Sequence, residues 1–244
     1  NVWIITAAMT VLAICYTMII PFLPIYLLEL GVPKADVALW SGLVFGITFL
    51  IAGIMAPIWG KIADNKGKKR MALRAGFAIA ICYVLIGLVT DQYQLLMGRA
   101  LVGFANGFYP AAMTMVSLSV DEKQVGRALG IFQTGLILGN VIGPFLGGAV
   151  ESVVGMRPVF YVSGIAVFIA TLAVLFFVKE PKLHAVGADG KEQAAHHTKS
   201  TSLREDFKAV QQQPVLVRLL WIFFFMQCAI MMLQPILALY VGDM

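Results

Sequence analysis

The sequence predicts an all-α polytopic membrane protein, and three observations lead to that prediction. Hydrophobic residues make up 60% of the 244 residues and charged residues only 13%, whereas soluble domains carry about 25% charged residues. A soluble chain of this length could not bury so much apolar surface. Apolar runs long enough to cross a bilayer recur along the chain, and its lysines and arginines cluster on one side of the spans that these runs imply.

Seven apolar runs have the length of a membrane-spanning helix. We number them spans 1 to 7 and expect helices over residues 3–28, 38–59, 70–90, 94–118, 126–150, 157–178 and 215–241. The connections are short except for the polar residues 179–214, whose adjacent His196 and His197 are interpreted as solvated, so that no metal site is expected. The predicted domains are a six-helix bundle over 1–178, a linker over 179–214, and the first helix of a second bundle over 215–244.

The distribution of positive charge predicts the orientation in the membrane. Of the 18 lysines and arginines, only Lys34 and Arg157 lie on the second side, and Arg99 lies inside span 4. The basic side should face the cytoplasm, which places the amino terminus and the linker there. The net charge of +5 is therefore interpreted as topology, and no nucleic-acid partner is expected.

The end of span 1 is weakly repeated in span 7. Residues 21–26 read Pro-Phe-Leu-Pro-Ile-Tyr, and residues 235–240 read Pro-Ile-Leu-Ala-Leu-Tyr. Parallel half-repeats are one construction of secondary transporters, so we expect a longer natural protein with about five further spans. Pro21 and Pro24 should also kink the end of span 1, because proline removes a helical hydrogen bond.

The connection between spans 2 and 3, residues 60–70, carries a motif that we call the latch motif. Gly60 allows close helix approach, Gly67 allows a tight turn, and Asp64 is an acid among cations that can pair with a basic side chain. The motif resembles the signature loop of the major facilitator superfamily, although Asn65 stands where that family usually has Arg. The resemblance implies a latch that holds two halves together in the outward-open state. Its residues here are Gly60, Asp64, Gly67, Lys68, Lys69 and Arg70.

Arg99 in span 4 is a cation at a costly position, since an intramembrane arginine costs roughly 2.5–3.5 kcal/mol on insertion scales. One interpretation is that its side chain snorkels to the membrane surface. The other is that it faces a cavity and favours the charged form of a nearby acid. The spacing Arg99-x-x-x-Gly103 resembles the family's span-4 motif, which implies a role in proton coupling.

Span 5 carries glycines at every fourth position, which places Gly135, Gly139, Gly143 and Gly147 on one helical face where another backbone can approach closely. The segment from Gly139 to Gly148 resembles the antiporter motif of drug exporters. That resemblance implies export, whereas the pattern alone indicates only helix packing. The motif residues are Gly139, Gly143, Pro144, Gly147 and Gly148.

A cavity for varied apolar cations needs adaptable apolar and aromatic walls. Candidate lining residues, each of which taken alone is more often a packing residue, are Met18, Phe22, Tyr26, Asn106, Tyr109, Phe132, Gln133, Asn140 and Met231. Spans 1 to 6 have no Asp or Glu near their middle, because Glu29, Asp36, Asp91 and Glu151 lie at ends or in loops. An embedded proton-carrying acid is therefore expected either at the periphery or in the missing part.

Taken together, the resemblance implies a bacterial twelve-helix drug:proton antiporter of the inner membrane, of which this chain is the amino-terminal half plus span 7. It would exchange drug-like lipophilic or cationic compounds for protons, need no cofactor, contact the lipid bilayer, and be monomeric at full length. A carrier for a sugar or other metabolite is the alternative, and a receptor or scaffold is a further one. The sequence shows no nucleophile, metal or phosphate motif that would indicate an enzyme.

Overall fold

The computed structural model describes residues 1–180, 217–219 and 221–226, and all regular structure in these residues is helical. The chain divides into two units, Asn1–Leu183 and His184–Met244. The helices of the first unit are α1 (Val2–Ile19), α2 (Leu23–Glu29), α3 (Val37–Lys66), α4 (Lys68–Gly87), α5 (Gln92–Ala105), α6 (Phe108–Ser117), α7 (Val125–Val154) and α8 (Met156–Phe177). In the second unit the described residues are also helical, while most of the predicted linker and of span 7 lies outside the described residues. The predicted all-α class is confirmed.

Five stretches of the described residues are long and apolar enough to cross a bilayer, namely Val2–Glu29, Val37–Lys66, Lys68–Gly87, Glu122–Val154 and Met156–Phe177. In α3 only 17%, and in the stretch containing α7 only 22%, of the most apolar 18 residues are buried within the protein. Such helices expose large apolar faces that water would not tolerate. The chain is therefore a multi-pass membrane protein.

Span 1 is interrupted near its end, as its two prolines predict. After α1 the chain forms a 3-10 turn over Ile20–Phe22, with Pro21 in the first turn, and α2 begins with Pro24 in its own first turn. Proline is tolerated at such helix starts, where its missing N–H has no helical partner. The chain thus passes from α1 to α2 through a 3-10 turn and keeps helical dihedral angles.

Span 4 is also interrupted, and the prediction of one helix over 94–118 is wrong. α5 ends at Ala105, Asn106 is extended with ψ 156°, and Gly107 has φ +137° before α6 begins. Pro110 explains the break, because it cannot donate to the carbonyl of Asn106 four residues earlier and its ring would clash with it. Gly107 then adopts a conformation that other residues rarely reach.

The predicted connection over residues 60–70 is almost entirely helical. α3 continues to Lys66 and α4 begins at Lys68, so only Gly67, with φ +97°, lies between them. Alanine and lysine favour helix, which lets α3 extend past the apolar run that sequence analysis delimited. We call this end of the bundle the basic end and the other the far end.

The first unit is held together by close helix contacts, of which α1 with α7, α4 with α8, and α3 with α5 are the most extensive. Small residues permit them: a Cβ added at Gly164 of α8 would lie 3.0 Å from the Ala80 carbonyl oxygen of α4. Close approach of this kind is the principal means by which helices associate in lipid. These contacts bury one face of α3 and of α7, and the other faces of both helices remain exposed.

Candidate functional site

The glycine face of α7 packs directly against α1. A Cβ added at Gly139 would lie 2.8 Å from the Thr10 carbonyl oxygen, and one added at Gly143 would lie 2.7 Å from the Ile14 carbonyl oxygen. Cβ contacts this short do not occur in real structures, and the opposing atoms are backbone, which cannot move aside. The close approach predicted from the four-residue glycine spacing is therefore present, and α1 is its partner.

A side-chain hydrogen bond also joins α1 to α7 within this interface. The Thr17 hydroxyl donates to the Ala13 carbonyl of its own helix at 2.8 Å and also lies 3.2 Å from the Gly139 carbonyl of α7. Such a bond between spans requires backbones as close as the glycines allow. α7 continues unbroken through Pro144, and Asn140, the residue after Gly139, is exposed.

Arg99 is buried in the centre of the bundle. Its exposed fraction is 2%, and Nε and Nη2 have no hydrogen-bond partner among the described residues. The phenols of Tyr83 on α4 and Tyr16 on α1 lie close enough to interact electrostatically with Arg99. The snorkelling interpretation is therefore wrong for this conformation, because the side chain does not reach the surface.

The helix that carries Arg99 is fixed by its neighbours. The Thr48 hydroxyl of α3 lies 3.3 Å from the Arg99 carbonyl oxygen, and a Cβ added at Gly103 would lie 3.2 Å from Thr48 Cα. On the other side, a Cβ added at Gly98 would lie 2.6 Å from Ile86 Cγ1 of α4. These contacts set the rotation of α5 that turns Arg99 inward.

Three of the predicted cavity residues form one cluster. Gln133 Nε2 donates to the Tyr109 hydroxyl at 3.0 Å, and the Tyr109 and Phe132 ring centroids are 5.8 Å apart. Phe132 itself is fully buried, whereas Tyr109 and Gln133 are partly exposed. The cluster joins α6 to α7 and offers a phenol and an amide beside an aromatic surface.

The other predicted cavity residues are dispersed. Met18 is buried under Gly147, Phe22 lies against Gly148, and Asn106 is exposed at the break in span 4. Met231 lies outside the described residues. Tyr26 is fully buried, and the structure places it in the core.

Tyr26 belongs to a hydrogen-bonded anchor at the far end. Its hydroxyl donates to the Ile86 carbonyl at 3.0 Å, and its ring centroid is 5.0 Å from that of Phe160. Tyr161 and Arg157 of α8 donate in the same way to the Gly87 and Val89 carbonyls, at 3.0 Å and 3.5 Å. The end of α4 is thus satisfied by side chains of two other spans, as buried backbone requires.

We expect Tyr26→Phe to destabilise the protein without changing substrate affinity. The change removes one donor to the buried Ile86 carbonyl, which keeps the Val89 N–H at 3.3 Å, and a hydrogen bond of this kind contributes about 0.5–1.5 kcal/mol. Thermal unfolding in detergent and KM in the full-length protein are the measurements. Tyr93→Phe, at a phenol that is 66% exposed, is the matched control, and a raised KM for Tyr26→Phe with unchanged stability would return Tyr26 to the cavity.

At the basic end, the latch motif pairs internally. Lys68 forms an ion pair with Asp64 one turn earlier, which confirms a basic partner for this acid. Lys69 donates to the Leu175 carbonyl of α8 at 2.8 Å. The Glu180 carboxylate lies beside Gly67, where a Cβ added at the glycine would be 3.1 Å from Glu180 Cδ. Gly60 meets no atom within 4 Å of an added Cβ, so the close approach expected there is not made among the described residues.

A cavity of about 520 Å³ lies beside the latch motif, within the size range of small-molecule sites. It is lined by α3, by the start of α4, by the break in span 4 and by α6. Its lining residues are Phe49, Ala52, Gly53, Ala56, Trp59, Gly60, Ala63, Asp64, Lys68, Met71, Asn106, Gly107, Pro110, Ala111 and Thr114. The cavity therefore links the latch motif to the interruption of span 4.

Sequence reasoning missed several residues that build these sites. Thr17, Tyr16 and Tyr83 received no role, and Arg74 was counted only as a basic-side charge. The Asn106-Gly107 pair followed by Pro110 is a recognised breaker pattern, and it could have located the interruption of span 4. The sequence around the break does not indicate that Trp59 of α3 and Arg74 of α4 donate hydrogen bonds to it, because both residues belong to other spans.

The five membrane-length stretches and the close glycine interface define a polytopic helical membrane protein. Residues 5–244 match the sequence model of the Major Facilitator Superfamily, and the chain belongs to this family. That membership agrees with the expectation that the protein is not an enzyme.

Two relatives are both named multidrug resistance protein MdtG. The one from Proteus mirabilis (strain HI4320) is 37% identical over 230 residues, which cover 94% of this chain and 55% of the relative. The one from Dickeya zeae (strain Ech586) is 35% identical, with 94% and 54% covered. The chain thus spans about half the length of the curated relatives that it matches.

Solved structures share the fold. A bacterial homologue of the human lysosomal transporter Spinster, in an inward-facing and unoccupied conformation, matches with a TM-score of 0.66 and 20% identity over 87% of this chain and 49% of that one. The human organic anion transporter MFSD10 matches with a TM-score of 0.64 and 16% identity over 74% and 47%. Identities this low establish the fold alone.

Proposed function

We propose that the full protein is a secondary active transporter that exports drug-like lipophilic or cationic compounds in exchange for protons. The observation that carries the proposal is the α1–α7 interface, where the segment that resembles the antiporter motif of drug exporters makes backbone contacts at Gly139 and Gly143. The relatives named multidrug resistance proteins support the same substrate class.

The proposed mechanism is alternating access by two halves. Residues 1–178 act as the first half, 179–214 as a linker, and 215–244 as the start of the second half, which rocks against the first around a central site. The latch motif stabilises one of the two states. The positive-inside rule supports a bacterial inner-membrane protein whose amino terminus and linker are cytoplasmic, and we propose that the complete carrier is a monomer.

Arg99 is proposed to couple protons to substrate. A buried cation favours the charged form of an acid in the same low-dielectric interior, so it promotes proton release when such an acid comes near. Among the described residues, the titratable groups that interact with Arg99 are the phenols of Tyr83 and Tyr16. We therefore propose that the acid is supplied by the rest of the full protein.

The proposed substrate surface begins with the Tyr109–Phe132–Gln133 cluster. Aromatic rings and a few adaptable polar groups suit lipophilic cations of varied shape. Asn106 at the break in span 4 and Asn140 on α7 are exposed polar residues, and Phe22, Met18 and Met231 are proposed to complete the surface. Tyr26 is omitted because its hydroxyl already donates to the Ile86 carbonyl within the bundle.

Everted vesicles that contain the full-length protein test this function. We expect a fluorescent lipophilic cation to accumulate when an inside-acid pH gradient is imposed, and to leave when the gradient is collapsed. Vesicles without the protein provide the background. Failure to accumulate several such cations, with insertion of the protein verified, would contradict drug export and would direct the search to sugars and other metabolites.

A further inference from the structure

The interruption of span 4 creates a demand for hydrogen-bond donors within a membrane span. Pro110 cannot donate to the Asn106 carbonyl, and the carbonyls of the last turn of α5 have no continuing helix to accept from. An unsatisfied carbonyl in the bilayer costs several kcal/mol. Donors supplied by other parts of the protein therefore stabilise the break.

Two other spans supply them. Trp59 Nε1 of α3 donates to the Phe104 carbonyl at 2.8 Å. Arg74 Nη2 of α4 donates to the Ala105 carbonyl at 3.0 Å and lies 3.3 Å from that of Asn106. Three consecutive carbonyls at the end of α5 thus meet donors from α3 and α4.

The two donors also contact each other. Arg74 Cζ lies 3.6 Å from the centroid of the Trp59 ring, and that ring meets Phe104 edge-on at 5.3 Å. A cation over an aromatic face is attracted by the ring quadrupole, and a cation at the carboxyl end of a helix is favoured by the helix dipole. Only a planar guanidinium can stack and donate in this way, so lysine is not equivalent. We call this arrangement the Arg74–Trp59 clamp.

The clamp lies between two functional features. Arg99 is six residues before Ala105 on the same helix, about 9 Å away at 1.5 Å per residue. Trp59, Asn106 and Gly107 line the cavity beside the latch motif. Whatever holds the end of α5 therefore controls both the placement of the buried cation and the start of α6.

We propose that Arg74 and Trp59 are positioning residues of the transport cycle, which hold the interruption of span 4 so that Arg99 and the cavity-facing part of α6 keep their places. The proposal rests on the transport function proposed above. It assigns no contact between the clamp and substrate. It predicts that loss of the clamp slows turnover and leaves substrate affinity largely intact.

The test is a double-mutant cycle in the full-length protein in everted vesicles. Arg74→Lys keeps the charge but not the planar group, and Trp59→Phe keeps a ring but not the donor. A hydrogen bond from a charged donor such as Arg74 is worth tenfold or more, and one from a neutral donor such as Trp59 less. We therefore expect Arg74→Lys to lower kcat about tenfold and Trp59→Phe severalfold, while KM changes less than about twofold in either variant. Because both residues form one unit, the kcat of the double variant should be about equal to that of the slower single variant.

Two further measurements separate positioning from general destabilisation. Arg127→Lys, at an exposed residue of α7, is the matched control and should export normally. In a variant whose only tryptophan is Trp59, Arg74→Lys should shift the emission spectrum, because it removes the stacked guanidinium. Normal kcat in both single variants, or effects that multiply in the double variant, would overturn the proposal.

The experiment also distinguishes this inference from the proposed function. If the unchanged protein exports no drug, the function fails, and the clamp is judged by Trp59 emission alone, where an unchanged spectrum overturns it. If the protein exports but Arg74→Lys inserts poorly, Trp59→Phe decides the matter, since a ring of similar shape keeps the packing against Phe104. A raised KM with unchanged kcat would also contradict a positioning role.

Discussion

Replacing Arg99 by alanine in the full-length protein is expected to reduce proton-driven export to the background of vesicles without the protein. The guanidinium is buried to 2% exposure, and two of its nitrogens lack a partner among the described residues. In so dry a site its charge acts strongly on any acid that approaches. Without it, an acid would keep its proton through the cycle, so substrate and proton movements would no longer be linked.

The same substitution should not lower stability. An arginine inside a membrane costs roughly 2.5–3.5 kcal/mol on insertion scales, and Arg99 recovers little of that cost through hydrogen bonds. The unfolding temperature of Arg99→Ala in detergent should therefore equal or exceed that of the unchanged protein. Such a combination, lost activity without lost stability, is typical of a functional residue.

Three measurements together decide the role of Arg99. Uptake driven by a pH gradient should be lost, substrate exchange without a gradient should persist, and Arg99→Lys should retain part of the driven uptake. Arg127→Ala is the control for loss of a basic residue at an exposed position. Undiminished driven export by Arg99→Ala would show that the buried cation takes no part in coupling.

The fold class could be predicted because bilayer spanning imposes simple rules on composition and charge. A run of apolar residues identifies a span regardless of its neighbours, and the two prolines of span 1 mark the place where its α-helix gives way to a 3-10 turn. Span 4 was predicted as one helix because its apolar pattern continues through Asn106 and Gly107. The break depends on local backbone chemistry, and its stability depends on Trp59 and Arg74 from other spans.

The candidate site was only partly predictable for a related reason. The glycine spacing of span 5 identifies a face for close packing, but nothing local identifies α1 as its partner, which is more than a hundred residues away in sequence. Tyr26 shows the opposite difficulty. In a helix that is apolar on all sides, hydropathy does not distinguish a residue facing a cavity from one facing the core, and only the contact with Ile86 does so.

Replacing Gly143 by leucine is expected to stop turnover. An added Cβ would lie 2.7 Å from the Ile14 carbonyl oxygen of α1, so leucine must push α1 and α7 apart along the interface that Thr17 bridges to Gly139. Overpacking of this kind typically costs about 1–3 kcal/mol. Since both helices carry proposed substrate-lining residues, their separation also displaces the surface on which transport depends.

The chain offers a matched control on the same helix. A Cβ added at Gly130 meets no atom within 4 Å among the described residues, so Gly130→Leu introduces the same side chain into open space. Export and unfolding temperature of both variants should be measured together with those of Gly143→Ala, whose single methyl group already clashes with backbone. We expect activity to fall from Gly130→Leu through Gly143→Ala to Gly143→Leu. Equal activity in all three would mean that the α1–α7 contact is not needed for transport, and it would remove the main structural support for an antiporter.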